Sequence, residues 1–342
     1  MIRLSKASIS NNEKDAVLKV LDSEYLGMGS VTQQFEHEIA KYLGVSESNV
    51  VCVNTGTTAL HIALSCLGIG YGDEVIVPSL TYIASFQAIS ATGAIPIACD
   101  IIEDTLFLDC SDVESKITNK TKAIMPVHYA SSAKGLDKVY KLAKKHNLRV
   151  VQDAAQAFGC EDIGGLVGST GDITCFSFDG IKNITSGEGG CIVSADEAVL
   201  AKVNDARLLG VERDTEARFS GKRSWDFDVS ALGWRYHMSD LMAAIGRAQL
   251  ERFDDLARSR QRLARAYDNA LSENQMITSI PLDYDFVVPH IYPIRVAGLT
   301  VDRRENIRKR MLEVGVQTGF HYKPNHHLSF FADQKATPFP VA

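Results

Sequence analysis

The strongest constraint on this chain is the alternation of short apolar runs with longer stretches of helical spacing. Runs at residues 50–53, 74–78, 95–99, 121–127, 148–152, 173–178 and 191–193 are too short for buried helices and read as buried strands. Between them, residues 10–24 open on a Ser10 cap with apolar residues at helical spacing, and 31–43 repeat the pattern until Gly44 stops it. A helix follows residue 58, and further helices are expected at 134–145, 196–209 and from Leu241 onward. Such alternation predicts an α/β fold with a mainly parallel, doubly wound sheet. The 342 residues leave room for a large domain over 1–250 and a smaller α+β domain over 251–342. The smaller one is expected to hold a long helix at 250–273, a strand at 287–296, a helix at 303–314 and a strand at 316–322. Residues 211–231 are polar and charged, and predict a loop.

Composition excludes several functions. With 45% hydrophobic and 23% charged residues, the chain is an ordinary globular one. A net charge of −6, with Lys and Arg scattered, argues against binding nucleic acid. No run is long enough to span a bilayer, and the N-terminus has no apolar signal core, so a cytoplasmic protein is expected. The seven cysteines stand singly and read as buried small hydrophobes in a reducing compartment. No spacing suggests a metal site. The matches to glycosylation acceptors at Asn119 and Asn183 are chance matches without a secretion signal.

The chemistry concentrates in 148–191. The run at 148–152 delivers Asp153 at its C-terminal end, where open α/β sheets bind ligands. Lys182 lies 29 residues on, in a loop after the run at 173–178 and before Ser186-Gly187-Glu188-Gly189-Gly190. A loop lysine and a strand-end acid facing one another are what pyridoxal phosphate (PLP) chemistry needs. The amine condenses with the cofactor's aldehyde, and the carboxylate keeps the pyridine nitrogen protonated. Taken singly, Asp153 reads as a helix cap and Lys182 as a solvated loop residue. The order D-A-A-Q-A, S-F, K-N, G-E-G-G reverses that balance.

Upstream, Val50–Val53 leads through Asn54-Thr55-Gly56-Thr57-Thr58 into a helix, a strand–turn–helix that can hold a phosphate on free N–H groups. It is not a P-loop, and alone it is an ordinary helix entry. Tyr82, after the strand at 74–78, can stack on a flat ring or simply start a helix half-exposed. His61 falls inside a helix pattern and reads as packed.

Together these motifs resemble the DegT/StrS sugar aminotransferases, PLP enzymes of the aspartate-aminotransferase fold, over nearly the whole chain. The resemblance implies that Lys182 bonds the cofactor and Asp153 pairs with its pyridine nitrogen. It places Gln156 near the ring and its 3-hydroxyl, Tyr82 on the ring face, and Gly56, Thr57 and Ser177 at the phosphate. His128 is implied near the active site. The His321-Tyr322-x-Pro324-x-His326 stretch is implied to be structural, with His321 and Tyr322 facing substrate. Where family members have G-x-N-x-R-M, this chain has Gly233-Trp234-Arg235-Tyr236-His237-Met238. Arg235 then stands where an Asn reaches the partner subunit's PLP phosphate; it reaches that phosphate here or pairs at the surface. The Gly-rich 25–30 stretch is implied to be an active-site loop. The resemblance also implies a homodimer with shared sites, L-glutamate as donor and a nucleotide-linked keto sugar as acceptor. A dTDP- or UDP-4-keto-6-deoxyhexose aminated at C4, for O-antigen or other glycoside biosynthesis, is the expected example. Family members continue past residue 342 with a further strand and helix.

Three other readings compete. Sugar dehydratases of the same family carry histidine where Lys182 stands. A non-catalytic PLP-binding regulator would keep the fold without turnover. A nucleotide-binding interaction module would use only the 55–58 turn.

Overall fold

The apolar runs become seven strands of one sheet. In the computed structural model, which describes residues 1–162, 164–223, 225–331 and 339–342, they are β1 (Val50–Val53), β2 (Glu74–Pro78), β3 (Ile95–Cys99), β4 (Thr121–Ile124) and β5 (Arg149–Asp153). After a short hairpin, β6 (Glu161–Asp162) and β7 (Gly165–Leu166), come β8 (Ile173–Ser177) and β9 (Gly190–Ser194). The order across the sheet is β1-β9-β8-β5-β4-β2-β3. Every neighbouring pair is parallel except those of β9, which runs antiparallel to both β8 and β1. The reason is the connection. Parallel neighbours need a crossover, here mostly helical, whereas β8 and β9 are joined directly by the loop that carries Lys182.

Both faces of the sheet are covered, so residues of both parities are apolar. Val51, Val53, Val75, Val77 and Val151 pack under α3 (Gly56–Cys66), α4 (Ile83–Ala91) and α7 (Glu197–Ala206). Cys52, Ile76, Val150 and Phe176 point the other way. There they meet α2 (Ser30–Leu43), α5 (Cys110–Ser115), α6 (Leu136–His146) and α9 (Asp240–Glu251). Phe35, Ile39 and Leu43 of α2 are buried at four-residue spacing, and Gly44 ends the helix in the left-handed conformation at φ 70°. Among the described residues no helix is long and apolar enough to cross a membrane. All seven cysteines are free, and six are buried.

The edge strand β1 is closed by side chains instead of another strand. The Cys52 N–H donates to Glu36 Oε1 at 2.7 Å, and Arg207 Nη1 donates to Cys52 O at 2.7 Å and to Glu36 Oε1 at 2.6 Å. One residue further, Val53 bridges His237, and Asn54 N donates to Tyr236 O. The edge therefore presents no free ladder for a second chain.

Helix α1 (Asn11–Asp22) is fastened by its own cap. Ser10 and Glu13 form a reciprocal capping box, and Glu13 Oε1 also accepts from Gln249 Nε2 and Arg252 Nε. Burial alone would raise the Glu13 carboxyl, but the hydrogen bonds from Ser10 and Arg252 hold it at about 2. A carboxylate lowered in this way stabilises the fold above pH 4.5, and that stability is lost as pH falls towards 2. Glu13→Gln is expected to lower stability by about 2 kcal/mol at pH 7 and to flatten the acid side of the pH–stability curve. Urea midpoints at pH 7 and pH 3 check this; equal losses at both values would remove the charge argument.

Four expected elements differ. β4 stops at Ile124 instead of 127 because Pro126 has no N–H for the ladder, although Val127 still bridges Asp153. The 211–231 stretch is not all loop: α8 (Asp214–Phe219) forms within it, stabilised by a buried Arg218–Asp214 pair at 2.6 Å. After α10 (Phe253–Leu271), Pro289 and Pro293 break the expected 287–296 strand. Only β11 (Ile294–Val296) remains, paired with an unanticipated β10 (Ile277–Ser279). Beyond α11 (Val301–Glu313), the 316–322 stretch makes a single bridge, Ile2 to Val316, and forms no strand.

Candidate active site

The N-terminus of α3 forms one wall. Thr55 caps the helix, its Oγ1 accepting from Thr58 N at 3.0 Å. By helix geometry the N–H groups of Gly56 and Thr57 have no partner inside the helix, and Thr57 is exposed. Ser177, the last residue of β8, lies directly against this turn: a Cβ on Gly56 would sit 2.6 Å from Ser177 Cβ and 3.0 Å from its Oγ. Gly190 at the start of β9 is equally constrained, since a Cβ there would meet Thr55 O at 2.6 Å. The glycines let two strands and a helix end converge on an anion cradle of phosphate size.

Lys182 lies on the β8–β9 loop, five residues after Ser177. Asn183 pins the loop, its Nδ2 donating to Phe158 O and Val288 O at 3.0 Å, and Arg260 Nη2 of α10 donates to Lys182 O at 3.1 Å. The Lys182 amine is half-buried. Desolvation lowers its pKa, and the charges of Asp153 and Asp179 only partly oppose that. More of it is the free, nucleophilic amine at neutral pH than for a solvated lysine.

Asp153, at the end of β5, is 6% exposed. Its Oδ1 accepts from Ala155 N and its Oδ2 from Ser85 Oγ. Gln156 Oε1 accepts from Ala130 N at 2.8 Å, which leaves its Nε2 to donate to Tyr322 OH at 3.2 Å. Burial first, then the charges of Asp153 and Tyr82, raise the Tyr322 hydroxyl. Its ring lies 5.6 Å from that of Tyr82, which is 57% exposed at the start of α4. Tyr129 donates to His321 O and ties the same segment down.

The structure thus brings Gly56, Thr57 and Ser177 to one wall, and Asp153, Gln156, Lys182, Tyr82, His321 and Tyr322 to the space beside it. His128 is fully buried, with Nε2 2.8 Å from Gln152 Oε1 and its ring 6.4 Å from that of Phe107. Arg235 is exposed and bridges Leu208, on the segment that pairs beside the end of β1. The 25–30 stretch is held by the Asp240 carboxylate, which accepts from Gly29 N, Val31 N and Thr32 N. His61 packs against Trp234 and lies 3.2 Å from Tyr236 OH, as its helix position suggests.

Two residues here escaped the sequence reading. Ser85 touches Asp153, and its signal was a second hydroxyl four residues earlier, Thr81, just ahead of the helix. His290 lies beside Lys182, Arg260 and His321, and burial followed by their charges pushes its pKa well below the ordinary value. Its signal was a histidine framed by two prolines in an apolar stretch.

A helix N-terminus with free N–H groups, a lysine of lowered pKa and a strand-end acid fit what PLP needs: a place for its phosphate, an amine for its aldehyde and a carboxylate for its ring nitrogen. These features define the class, a PLP-dependent aminotransferase. The chain belongs to the DegT/DnrJ/EryC1/StrS aminotransferase family, whose model matches residues 7–342. It is 36% identical to the spore coat polysaccharide biosynthesis protein SpsC of Bacillus subtilis, over 98% of this chain and 87% of that protein. It is also 36% identical to GDP-perosamine synthase of Escherichia coli O157:H7, over 100% and 90%. Among solved structures, Helicobacter pylori PseC, an aminotransferase involved in the biosynthesis of pseudoaminic acid, superposes with TM-score 0.91 at 27% identity, over 100% of this chain and 90% of that one. Spr1654 of Streptococcus pneumoniae in its PLP form superposes with TM-score 0.89 at 30% identity, over 97% and 87%. The chain is therefore a sugar aminotransferase of this family with PLP as cofactor, using an amino donor and a sugar substrate.

Proposed function

We propose that this enzyme moves the amino group of L-glutamate to the ketone of a nucleotide-linked sugar, with a 4-keto-6-deoxyhexose aminated at C4 as the acceptor. The observation that carries the reading is the desolvated Lys182 amine within reach of the Asp153 charge, beside the Gly56–Thr57–Ser177 cradle. The name GDP-perosamine synthase, shared by two 36% identical relatives, supports a nucleotide-linked sugar and adds GDP to the dTDP and UDP carriers expected from the sequence.

PLP, when bound, supplies an aldehyde that takes up the amino group and a ring that accepts the electrons left when the Cα proton departs. The chain's own residues do the rest. With PLP bound, Lys182 Nζ would take the Cα proton of the donor and return it to the carbon that had carried the aldehyde oxygen, two bonds away. Asp153 would hold a proton at the ring nitrogen, and Tyr82 and Gln156 would hold the ring. The backbone N–H groups of Gly56 and Thr57, with Ser177 Oγ, neutralise the phosphate. Arg235 extends towards the phosphate of a neighbouring copy in a homodimer. The exposed Trp225, Phe227 and Leu232 near it support such an interface.

The test is an absorbance spectrum of the purified protein with PLP, before and after L-glutamate, followed by dTDP-, UDP- and GDP-linked 4-keto-6-deoxyhexoses with mass detection of the amine. The expected result is a visible lysine-bound band, lost on adding L-glutamate and regained with one keto sugar. A protein that stays colourless with PLP overturns the reading; a band insensitive to L-glutamate overturns the donor.

A further inference from the structure

Asp153 is held from two sides. On one, Oδ1 accepts from Ala155 N at 3.1 Å, a local turn contact. On the other, Oδ2 accepts from Ser85 Oγ at 2.6 Å, across 68 residues of sequence. Ser85 stands in the first turn of α4 and has no solvent exposure. Its Oγ lies 2.9 Å from Thr81 Oγ1 and 3.4 Å from Tyr82 O.

Counting protons gives this arrangement a direction. A serine hydroxyl has one proton, and an ionised carboxylate only accepts. The short contact takes that proton to Asp153, because hydrogen bonds to a charged acceptor are the stronger ones. Thr81, itself 1% exposed, must then donate to Ser85. The backbone bearing Thr81 is fixed in turn: Asn325 Nδ2 donates to Thr81 O at 2.9 Å and to Ser79 O at 3.0 Å. Ser79 Oγ lies 2.7 Å from His326 Nδ1. The segment that places Tyr322 over the site thus also anchors the start of the hydroxyl chain.

We propose that Ser85, oriented by Thr81, is the positioning residue of Asp153, fixing its carboxylate so that the proton it shares with the cofactor rests on the ring nitrogen. The proposal rests on the reading of Asp153 given above. A donor to the charged form of a carboxylate favours that form, and a donor that is itself hydrogen-bonded does so more strongly. Without the Ser85 hydroxyl, Asp153 is free to turn about its last torsion and competes better for the proton. The ring then carries less positive charge and is a poorer electron acceptor.

The test uses holoenzyme loaded with PLP labelled with ¹⁵N at the ring, for wild type, Ser85→Ala, Ser85→Thr, Thr81→Val and Asp153→Asn. Ring-nitrogen chemical shift, PLP affinity and melting midpoint are read for each. The expected result for Ser85→Ala is a shift towards unprotonated pyridine, with PLP binding weakened on the order of tenfold. Thr81→Val is expected to move the signal the same way by less, and Ser85→Thr, which keeps a hydroxyl, to return it towards wild type. If Asp153→Asn leaves the ring nitrogen unchanged, the reading of Asp153 falls. If Asp153→Asn moves it while Ser85→Ala keeps the wild-type signal and affinity, the proposal falls and Asp153 stands. Should Ser85→Ala fail to fold, Thr81→Val decides: a wild-type ring-nitrogen signal in that variant overturns the proposal.

Discussion

Lys182→Ala is expected to remove the visible lysine-bound band and to slow transamination by a factor on the order of 10⁴ or more, because one amine serves as both cofactor anchor and proton carrier. The fold is expected to survive. Burial disfavours the charged Lys182 amine, and among the described residues it forms no salt bridge, so its loss breaks no ion pair there. Its lowered pKa also fixes the sign of a pH effect. Below 10.5, the ordinary value, the unfolded chain binds a proton at this position that the folded chain resists. Stability contributed by this group therefore rises with pH through that window, and Lys182→Ala is expected to remove the rise. Lys182→Arg offers a sharper comparison: it keeps the positive charge but has no free amine at any working pH, and is expected to be as inactive as Ala. PLP should still bind to both variants through the Gly56–Thr57–Ser177 cradle. Turnover by either variant within tenfold of wild type would end the assignment of Lys182.

The largest stability effect is expected at Arg207. This side chain is fully buried, and its Nη1 serves both Glu36 Oε1 and Cys52 O. Arg207→Ala would leave Glu36 as a buried charge without its cation and Cys52 O without its donor. Breaking a buried pair from one side typically costs about 3–5 kcal/mol, and that loss is expected here. Replacing both partners by leucine removes the stranded charge, but the Cys52 N–H and C=O then face apolar atoms. The double variant is therefore expected to recover only part of the stability. The effect should reach the cofactor as well. Cys52 lies three residues before Thr55, so a loosened β1 edge loosens the turn whose N–H groups take the phosphate. Denaturation midpoints and PLP affinity, measured on the same variants, check both halves. An Arg207→Ala protein with a wild-type midpoint would show that the edge of β1 does not depend on this pair.

Much of the architecture was legible from local pattern. Six of the seven sheet strands begin and end within a residue of their apolar runs, because burial on both faces demands an unbroken apolar stretch and the turn residues punctuate it. The exception, β4, was overrun by three residues because Pro126 sits inside an otherwise strand-like run. The same effect dissolved the expected strand at 287–296, where two prolines interrupt a stretch rich in valine and isoleucine. Helix α8 was hidden for the opposite reason. Its charged composition suggested loop, and the buried Asp214–Arg218 pair that supports it is invisible until the helix is folded against its neighbours.

The site divides in the same way. The places of Asp153, Lys182, Gly56 and Ser177, at a strand end, a helix start or the loop between two strands, were legible from the chain alone, because chain order carries that information. His128 follows an equivalent strand, but its full burial was not legible: a strand end defines a neighbourhood, and only packing decides which face a side chain takes. What tertiary structure alone decided are the single long-range contacts. Ser85 meets Asp153, Asn325 meets Thr81 across 244 residues, and Glu36 and Arg207 close the edge of β1 across 171. Such contacts have no period and no local signature. Each is one hydrogen bond or ion pair between residues that become neighbours only after the sheet has formed, whereas strands and helices arise from burial and backbone hydrogen bonding repeated over many adjacent residues.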